Sequence, residues 1–473
     1  MTQIRSAHSG VRFAWNDDAA RPRVAFYPPE EGDRTRAQSP THWSPVESLP
    51  RERIEAMQLE KLRALLHYAE TNSPFYAARW KEAGIRAAGV DDLGALRRFP
   101  IVTKEDFERD QLAQPPFGTV PTTPPGEQMK LWHTSGTAGP ARLWTETKED
   151  WENGMYLYAR SLFAHGIRPG WRGFFAFGYP PFIGFWLAHY AAEMMGCQVV
   201  PKGTLPTEAW LRTLQRLSGS APAFLCSTPT YAQRQLEAGA QNGIDAASLG
   251  LDVLTLAGEP GACVPATKAA LERGWHAVVH DIMGSTETSG PLLFTCEEQA
   301  RLREPSCHAN VDYFVLEVLD PATYEPRRDG EQGVLCVTAL ARTGMPAVRF
   351  LLNDYVRLEW SACACGRTLP LVKGGIATRA DDMLIVRGVN LYPALIENVV
   401  RGFESLAAEY VIERGASVRI SLEALSNVDP AGYPALAQQV QRAVAAATSL
   451  TLPVDVHAPG SLARAETKSK HVR

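Results

Sequence analysis

The chain reads as an α/β protein: a large N-terminal domain with parallel sheets covered by helices plus a β subdomain, then a small α+β C-terminal domain. Three observations predict this. At 473 residues it exceeds what one core usually sustains, so a large domain with at least one smaller one is expected. In the middle, short apolar runs (Ala223 to Cys226, Val253 to Ala257, Ala277 to His280) alternate with helical patterns (Glu208 to Leu217, Pro265 to Arg273), the sign of a largely parallel sheet covered on both faces. Around Val315 to Leu319 and Gly333 to Thr338 strands and turns follow one another without helices. After Arg379 come a short strand, Met383 to Val386, a helix, Pro393 to Arg401, and further αβ alternation. The expected division is an N-terminal arm over 1–43, a large domain over 44–377 and a small C-terminal domain over 378–473.

The elements follow in order. Residues 1 to 43 are polar and aperiodic, with Asp17, Asp18, Glu30, Glu31 and Asp33, and predict an extended arm rather than a folded unit. From Arg51 to Ala69 the apolar positions Ile54, Met57, Leu59, Leu62, Leu65 and Leu66 recur with helical spacing until Asn72, Ser73 and Pro74 stop them. Thr103 caps a helix that begins at Lys104. Pro115, Pro116, Pro121, Pro124 and Pro125 then make a stiff connector.

Hydrophobic residues at 45% and charged residues at 21% are ordinary for a globular protein, which excludes disordered and fibrous classes. A net charge of -4 gives no electrostatic case for nucleic acid or an anionic membrane. The N-terminus lacks the apolar stretch of a secretory signal, and the most apolar segment, Phe174 to Met195, is broken by Gly178, Pro180, Pro181 and Gly184. A cytoplasmic protein is expected. Eight cysteines, some clustered beside a histidine, fit a reducing compartment and a metal site better than a disulfide framework.

The connector leads into Thr134, Ser135, Gly136, Thr137, Ala138 and Gly139. Glycines here can turn successive N–H groups inward while the hydroxyls add donors, an arrangement suited to phosphate; taken by itself the segment is also what a solvated turn looks like. Further along, Gly258, Glu259 and Pro260 close one buried run, and Asp281, Ile282, Met283, Gly284, Ser285, Thr286 and Glu287 close another. Asp354 follows the apolar run Phe350 to Leu352, and Arg379 opens the small domain with Asp381 just after. Polar clusters at strand ends of an open parallel sheet line ligand crevices.

This ordered set, together with Asn72 to Tyr76, Thr103 to Asp106 and Asp381 to Pro393, resembles the adenylate-forming superfamily of acyl-CoA synthetases, most closely its phenylacetate-CoA ligase branch, from about residue 45 onward. The resemblance implies the adenylate-forming enzyme fold with a mobile C-terminal lid. It implies that Thr134 to Gly139 hold the β- and γ-phosphates of ATP and that Glu287 holds Mg²⁺, a hard cation on a carboxylate. Asp354 takes the ribose hydroxyls, Gly258 to Pro260 border the adenine, and Arg379 approaches ribose or phosphate. Asp381 is the hinge, and Gly388 flanks the pantetheine channel. Lys468 falls where the family's lysine stabilises charge on the attacked phosphorus, with Lys470 as its understudy. Two departures stand out: Pro140 and Ala141 replace a loop cation, leaving Arg142 nearest, and Met283 replaces an aromatic residue.

The reaction so implied is activation of a carboxylic acid by ATP through acyl-AMP, then transfer to coenzyme A. Tyr179, Phe182 and Gly184 align with one pocket-lining segment of the branch, and Thr228, Pro229 and Tyr231 lie in another; flat walls suit a small aryl or arylacetic acid, while aromatics here also serve simply as core. Two other readings remain open: an adenylating enzyme that passes its acyl group to a carrier protein or an amine, and a weakened, non-catalytic binding paralogue motivated by Pro140 and Met283. Cys363 and Cys365, with Cys296 and His308 upstream, offer three sulfurs and an imidazole for a structural Zn²⁺. Some relatives show the same placement. Cys307 either replaces Cys296 or stands by, and Cys197, Cys226, Cys263 and Cys336 read as small core residues. A homodimer is expected by analogy with the branch.

Overall fold

A computed structural model of the chain describes residues 2–5, 12–15, 24–27, 37, 39–134, 142–376, 378–379, 384–386, 389–414, 418–448, 450–463 and 472. The N-terminal segment departs from the expected arm. It forms an antiparallel sheet of three short strands, Thr2–Arg5, Arg12–Trp15 and Val24–Tyr27. Each strand is four residues long, too short for its alternation to stand out among the surrounding charges.

The local signals downstream act as expected. The helix Arg51–Asn72 buries Ile54, Leu62, Leu65 and Leu66, and Pro74 starts the next helix, Pro74–Glu82. Thr103 and Thr147 each close a capping box, with Asp106 and Asp150 as the returning acids, and such a cap stabilises a helix start by about 1 kcal/mol.

The body is built on one twelve-stranded sheet, in which the expected parallel strands and the expected β region are joined edge to edge. Five strands, Gln198–Pro201, Arg172–Phe175, Ala223–Ser227, Val253–Ala257 and Val278–Ser285, run parallel in that spatial order. Beyond Val278–Ser285 the sheet continues antiparallel through Gly290–Phe294, Cys307–Ala309, Leu371–Val372, Phe350–Glu359, Gln332–Ala339 and Phe314–Leu319. The β subdomain is thus a continuation of the parallel half.

Strand alternation divides the parallel half between two cores. Phe175, Phe224 and Ile282 face the larger core with Leu157, Leu162 and Leu187, from helices Lys148–Ala164 and Ile183–Met194. Their strand neighbours Phe174, Leu225 and Val279 face the second core with Trp210, Leu214, Leu271 and Trp275. Helices Thr207–Leu217, Pro229–Gln241 and Pro265–Trp275 carry that side. Each fully buried ring stabilises by about 1.5–3 kcal/mol relative to exposure. The apolar segment Phe174 to Met195 resolves into a strand end, a turn and a helix, and among the described residues no helix is long and apolar enough to cross a membrane.

The C-terminal part has a core of its own, with Leu391, Ile396, Ile412, Ile420, Leu422, Val440, Val444 and Val472. It contains the hairpin Leu384–Val386 with Val389–Leu391, the helix Pro393–Val400, the three-stranded sheet of Leu406–Glu413, Arg419–Ala424 and Val454–His457, and the helix Tyr433–Thr448.

Candidate active site

The glycine segment sits at the tip of a small hairpin. Strands Lys130–His133 and Leu143–Glu146 pair antiparallel, and the Thr134 N–H donates to the Arg142 carbonyl at 3.0 Å, closing the base of the loop. Ser135, Gly136, Thr137, Ala138, Gly139 and Pro140 lie outside the described residues. At the base, the Thr134 hydroxyl is buried with no hydrogen-bond partner among the described residues. Arg142 reaches within 4.0 Å of Glu108 and leaves its Nε unpartnered.

Sequence reasoning passed over the carboxylate that anchors this hairpin. Glu146 is fully buried; its Oε2 accepts from Trp132 Nε1 at 2.8 Å, and its Oε1 accepts from Arg342 Nη1 at 3.0 Å and from the Ser289 hydroxyl. Burial pushes its carboxyl up and Arg342 opposes that. Ser289 lies two residues after Glu287, so one buried carboxylate joins the glycine hairpin to the turn that carries Glu287. A buried Glu and a distant buried Arg give no spacing signal, which is why they were missed.

Glu287 itself is partly exposed and makes no hydrogen bond or ion pair among the described residues. Its turn is held by Thr288, whose hydroxyl accepts from the Ser285 N–H at 3.0 Å and donates to the Gly290 carbonyl at 2.8 Å. A bulge between Met283 and Gly284 bends the strand here, and a Cβ on Gly284 would stand 2.7 Å from the Gly290 carbonyl oxygen. Met283 lies partly exposed against the larger core, and Ile282 is buried beneath it.

Because Val278–Ser285 runs parallel to Val253–Ala257, the turn Gly258 to Pro260 ends beside Asp281 to Thr286. Glu259 accepts from the Thr230 N–H at 2.7 Å. Burial pushes the Asp281 carboxyl up to about 6, opposed by a hydrogen bond from Cys263. Asp354 is mid-strand in Phe350–Glu359 and largely buried, not at a strand end as the apolar run suggested. Its backbone pairs with Arg379 on the short strand Thr378–Arg379, which makes these two residues direct neighbours. The Arg379 side chain, Asp381, Gly388 and Lys468 lie outside the described residues; Lys468 falls between Ala463 and Val472, and Val472 bridges to Ile412 of the C-terminal sheet.

The aromatic wall adjoins the hairpin. Phe182 packs edge-on against His133, ring centroids 5.2 Å apart, and the His133 N–H donates to the Pro181 carbonyl at 3.2 Å. Tyr179 takes a left-handed backbone, φ 53°, uncommon for so bulky a residue and a mark of functional constraint. Its hydroxyl lies 2.8 Å from His189 Nδ1, and His189 Nε2 lies 3.1 Å from Glu193. The carboxylate accepts from Nε2–H, so Nδ1 accepts from the tyrosine. Gly184 opens onto free space. In the second expected pocket segment the Thr228 hydroxyl caps Pro229–Gln241, and the Tyr231 hydroxyl pairs with Thr207 at 3.0 Å.

Cys296, His308, Cys363 and Cys365 converge as expected, their ligand atoms all within 4.8 Å of one another. Cys296 and Cys363 sulfurs are 3.8 Å apart, and Cys365 Sγ is 3.4 Å from His308 Nε2, close to the edges of about 3.6–3.8 Å that Zn–S and Zn–N bonds imply for a tetrahedron. His308 Nδ1 donates to the Leu369 carbonyl at 3.2 Å, leaving Nε2 free toward the sulfurs. Hydrogen bonds from Cys296 hold the Cys363 and Cys365 thiols below their usual range. Cys307 stands by this set rather than replacing Cys296; its sulfur lies 3.6 Å from that of Cys263, and both are buried in the larger core.

The AMP-binding enzyme family matches residues 103–341, and the AMP-binding enzyme C-terminal domain matches 388–473. The chain is 35% identical over 368 residues to a phenylacetate-coenzyme A ligase of Thermus thermophilus, covering 78% of this chain and 79% of that one. A phenylacetate-coenzyme A ligase of Aromatoleum evansii is 30% identical over 436 residues, 90% of this chain and 95% of its own. Among solved structures, 2-hydroxyisobutyryl-CoA ligase in its postadenylation state superposes with a TM-score of 0.86 at 28% identity, covering 94% of each chain. The same enzyme in its thioesterification state gives 0.70 over the same coverage, so the C-terminal part here sits as in the former. With a matched body, a matched C-terminal domain and a shared arrangement of the two, the chain belongs to the AMP-binding enzyme family.

Proposed function

We propose that the protein is an AMP-forming acid–thiol ligase that activates a small aromatic carboxylic acid with ATP and transfers the acyl group to coenzyme A. A carboxylate resists acyl transfer because oxide is a poor leaving group; as acyl-AMP it carries a good one. The supporting observations are the glycine hairpin joined through Glu146 to the Glu287 turn, Asp281 on the strand that leads into that turn, and Asp354 paired with Arg379.

In this reading residues 44–377 form the adenylation domain and 378–473 the lid. Thr134 to Gly139 hold the phosphates, Glu287 holds Mg²⁺, Gly258 to Pro260 and Asp281 to Thr286 border the base, and Asp354 takes the ribose. Lys468, carried by the lid, neutralises charge at phosphorus, and Asp381 is its pivot. Tyr179, Phe182 and Gly184 line the acyl pocket, with Tyr179 oriented by His189. Cys296, His308, Cys363 and Cys365 fit a structural Zn²⁺, four protein ligands leaving no open position.

The test is acid-dependent exchange of pyrophosphate into ATP across benzoic, anthranilic, salicylic and arylacetic acids, followed by mass detection of the coenzyme A thioester. Exchange with an aromatic acid and formation of its thioester are expected. Absence of exchange with every acid defeats the adenylation step; exchange without thioester, but with transfer to an amine or carrier thiol, defeats coenzyme A as acceptor.

A further inference from the structure

Consecutive residues of the strand Cys307–Ala309 point to opposite faces of the sheet. On one face His308 joins Cys296, Cys363 and Cys365. On the other, Cys307 meets two donors from neighbouring elements. Cys263 arrives from the loop after Val253–Ala257, and Asp281 stands on Val278–Ser285. The ligand atoms of Cys263, Asp281 and Cys307 all lie within 4.8 Å of one another.

We propose that Cys263, Asp281 and Cys307 form a second metal site, distinct from the four-donor cluster, that takes a thiophilic divalent cation such as Zn²⁺. The sulfur–sulfur distance of 3.6 Å carries the argument. It matches the edge of about 3.7 Å that two Zn–S bonds subtend at a tetrahedral centre, and is far beyond a disulfide's bond length of about 2.05 Å. The Asp281 carboxylate lies within 4.8 Å of both sulfurs, so the three donors already surround one point. Binding releases both thiol protons and leaves two thiolates and a carboxylate around a dication. Three protein donors leave the fourth position to a non-protein ligand such as water.

The surroundings are shaped for a closely approached sulfur. Cys307 is fully buried and Cys263 nearly so. Gly375, at φ +67°, brings the turn after Leu371–Val372 against them; a Cβ there would stand 2.9 Å from Cys263 Sγ. The cation therefore ties three segments together, the turn that begins at Gly258, the strand bearing Asp281 and the strand Cys307–Ala309, with the turn that leads to Arg379 packed against Cys263. The site stands whether or not the protein is a ligase, since it rests on its own donors.

The full-length protein, purified under reducing conditions with added Zn²⁺ and desalted, is expected to hold two zinc ions per chain by elemental analysis. Cys263→Ala with Cys307→Ala is expected to hold one, and Cys296→Ala with Cys365→Ala to lose the other. Anomalous scattering at the zinc edge from wild-type crystals needs no variant to fold, and a peak between Cys263 and Cys307 is expected. Wild-type protein without that peak, or a Cys263/Cys307 variant that keeps the wild-type zinc count, overturns the proposal. So does a non-reduced wild-type mass two hydrogens light with the missing bond mapped to these two cysteines.

Discussion

Single residues divide here into those that touch reactants and those that carry the fold, and each kind has its own assay. On the proposed function Lys468 belongs to the first kind. Its charge is needed where a carboxylate attacks phosphorus and not where a thiol attacks acyl-AMP, so Lys468→Ala is expected to slow adenylation by about 10²–10³-fold, the usual cost of removing one transition-state donor. Thioester formation from preformed acyl-AMP should survive; equal loss in both half-reactions would refute its role. His165 belongs to the second kind. Its ring stacks on His280 with centroids 4.2 Å apart and its Nδ1 meets Thr255 Oγ1 at 3.1 Å. Burial first, then His280 and Arg367, hold it well below the ordinary histidine value. In the unfolded chain it protonates near pH 6.5, while in the folded protein it stays neutral. Its contribution is therefore intact above about pH 6.5 and is lost progressively as pH falls below that. Thermal melts of His165→Gln should show a shallower loss between pH 7 and 5 than wild type; an unchanged slope would assign the acid sensitivity elsewhere.

At the scale of elements, the turn after Val278–Ser285 is where backbone geometry and chemistry are most tightly coupled. Gly284→Ala would press a methyl onto the Gly290 carbonyl oxygen, 2.7 Å away, and the bulge cannot relax without moving Glu287. Such overpacking costs about 1–3 kcal/mol. A melting temperature lower by several degrees is expected together with a raised KM for ATP. Gly432→Ala, which meets nothing within 4 Å, should change neither; a wild-type KM in Gly284→Ala would separate the bulge from nucleotide binding. This turn also shows what was legible in advance. Its motif residues, the caps at Thr103 and the helix from Arg51 were readable because their signals lie within a few residues of each other. The buried pairing of Glu146 with Arg342 and the meeting of Cys263 with Cys307 were not, because only the finished sheet brings those residues together. The strands Arg12–Trp15 and Val24–Tyr27 were missed for the opposite reason: four residues of alternation are too few to outweigh the charged flanks. Asp354 was readable as a site residue but not as a mid-strand one, since an apolar run does not tell where a strand ends.

At the scale of the whole molecule, the C-terminal part, the lid of the proposed function, meets the body through polar contacts among the described residues. Arg234 pairs with Glu409, Glu237 accepts from the Ala408 N–H at 2.6 Å, Thr267 donates to Glu397 at 3.0 Å, and the Ala266 N–H donates to Asn398 at 3.1 Å. The body's donors and acceptors lie on Pro229–Gln241 and Pro265–Trp275, and the lid's on Pro393–Val400 and Leu406–Glu413. Arg234 and Glu409 are mostly withdrawn from water, so their attraction is only weakly screened. If the C-terminal part turns between half-reactions, as the proposed function requires, these four contacts among the described residues are the ones at stake. On that reading they favour the present arrangement, the one proposed to make acyl-AMP, by however much they are lost in the other. Each 1.4 kcal/mol of that difference is tenfold in population. Arg234→Met removes one partner and leaves Glu409 unmatched, so adenylation should fall by about tenfold for each 1.4 kcal/mol lost, while thioester formation from preformed acyl-AMP holds or quickens. The reversed pair, Arg234→Glu with Glu409→Arg, should recover adenylation in part. Were both half-reactions slowed alike and the reversed pair no better than Arg234→Met, the ion pair would be holding the body's fold rather than choosing the lid's position.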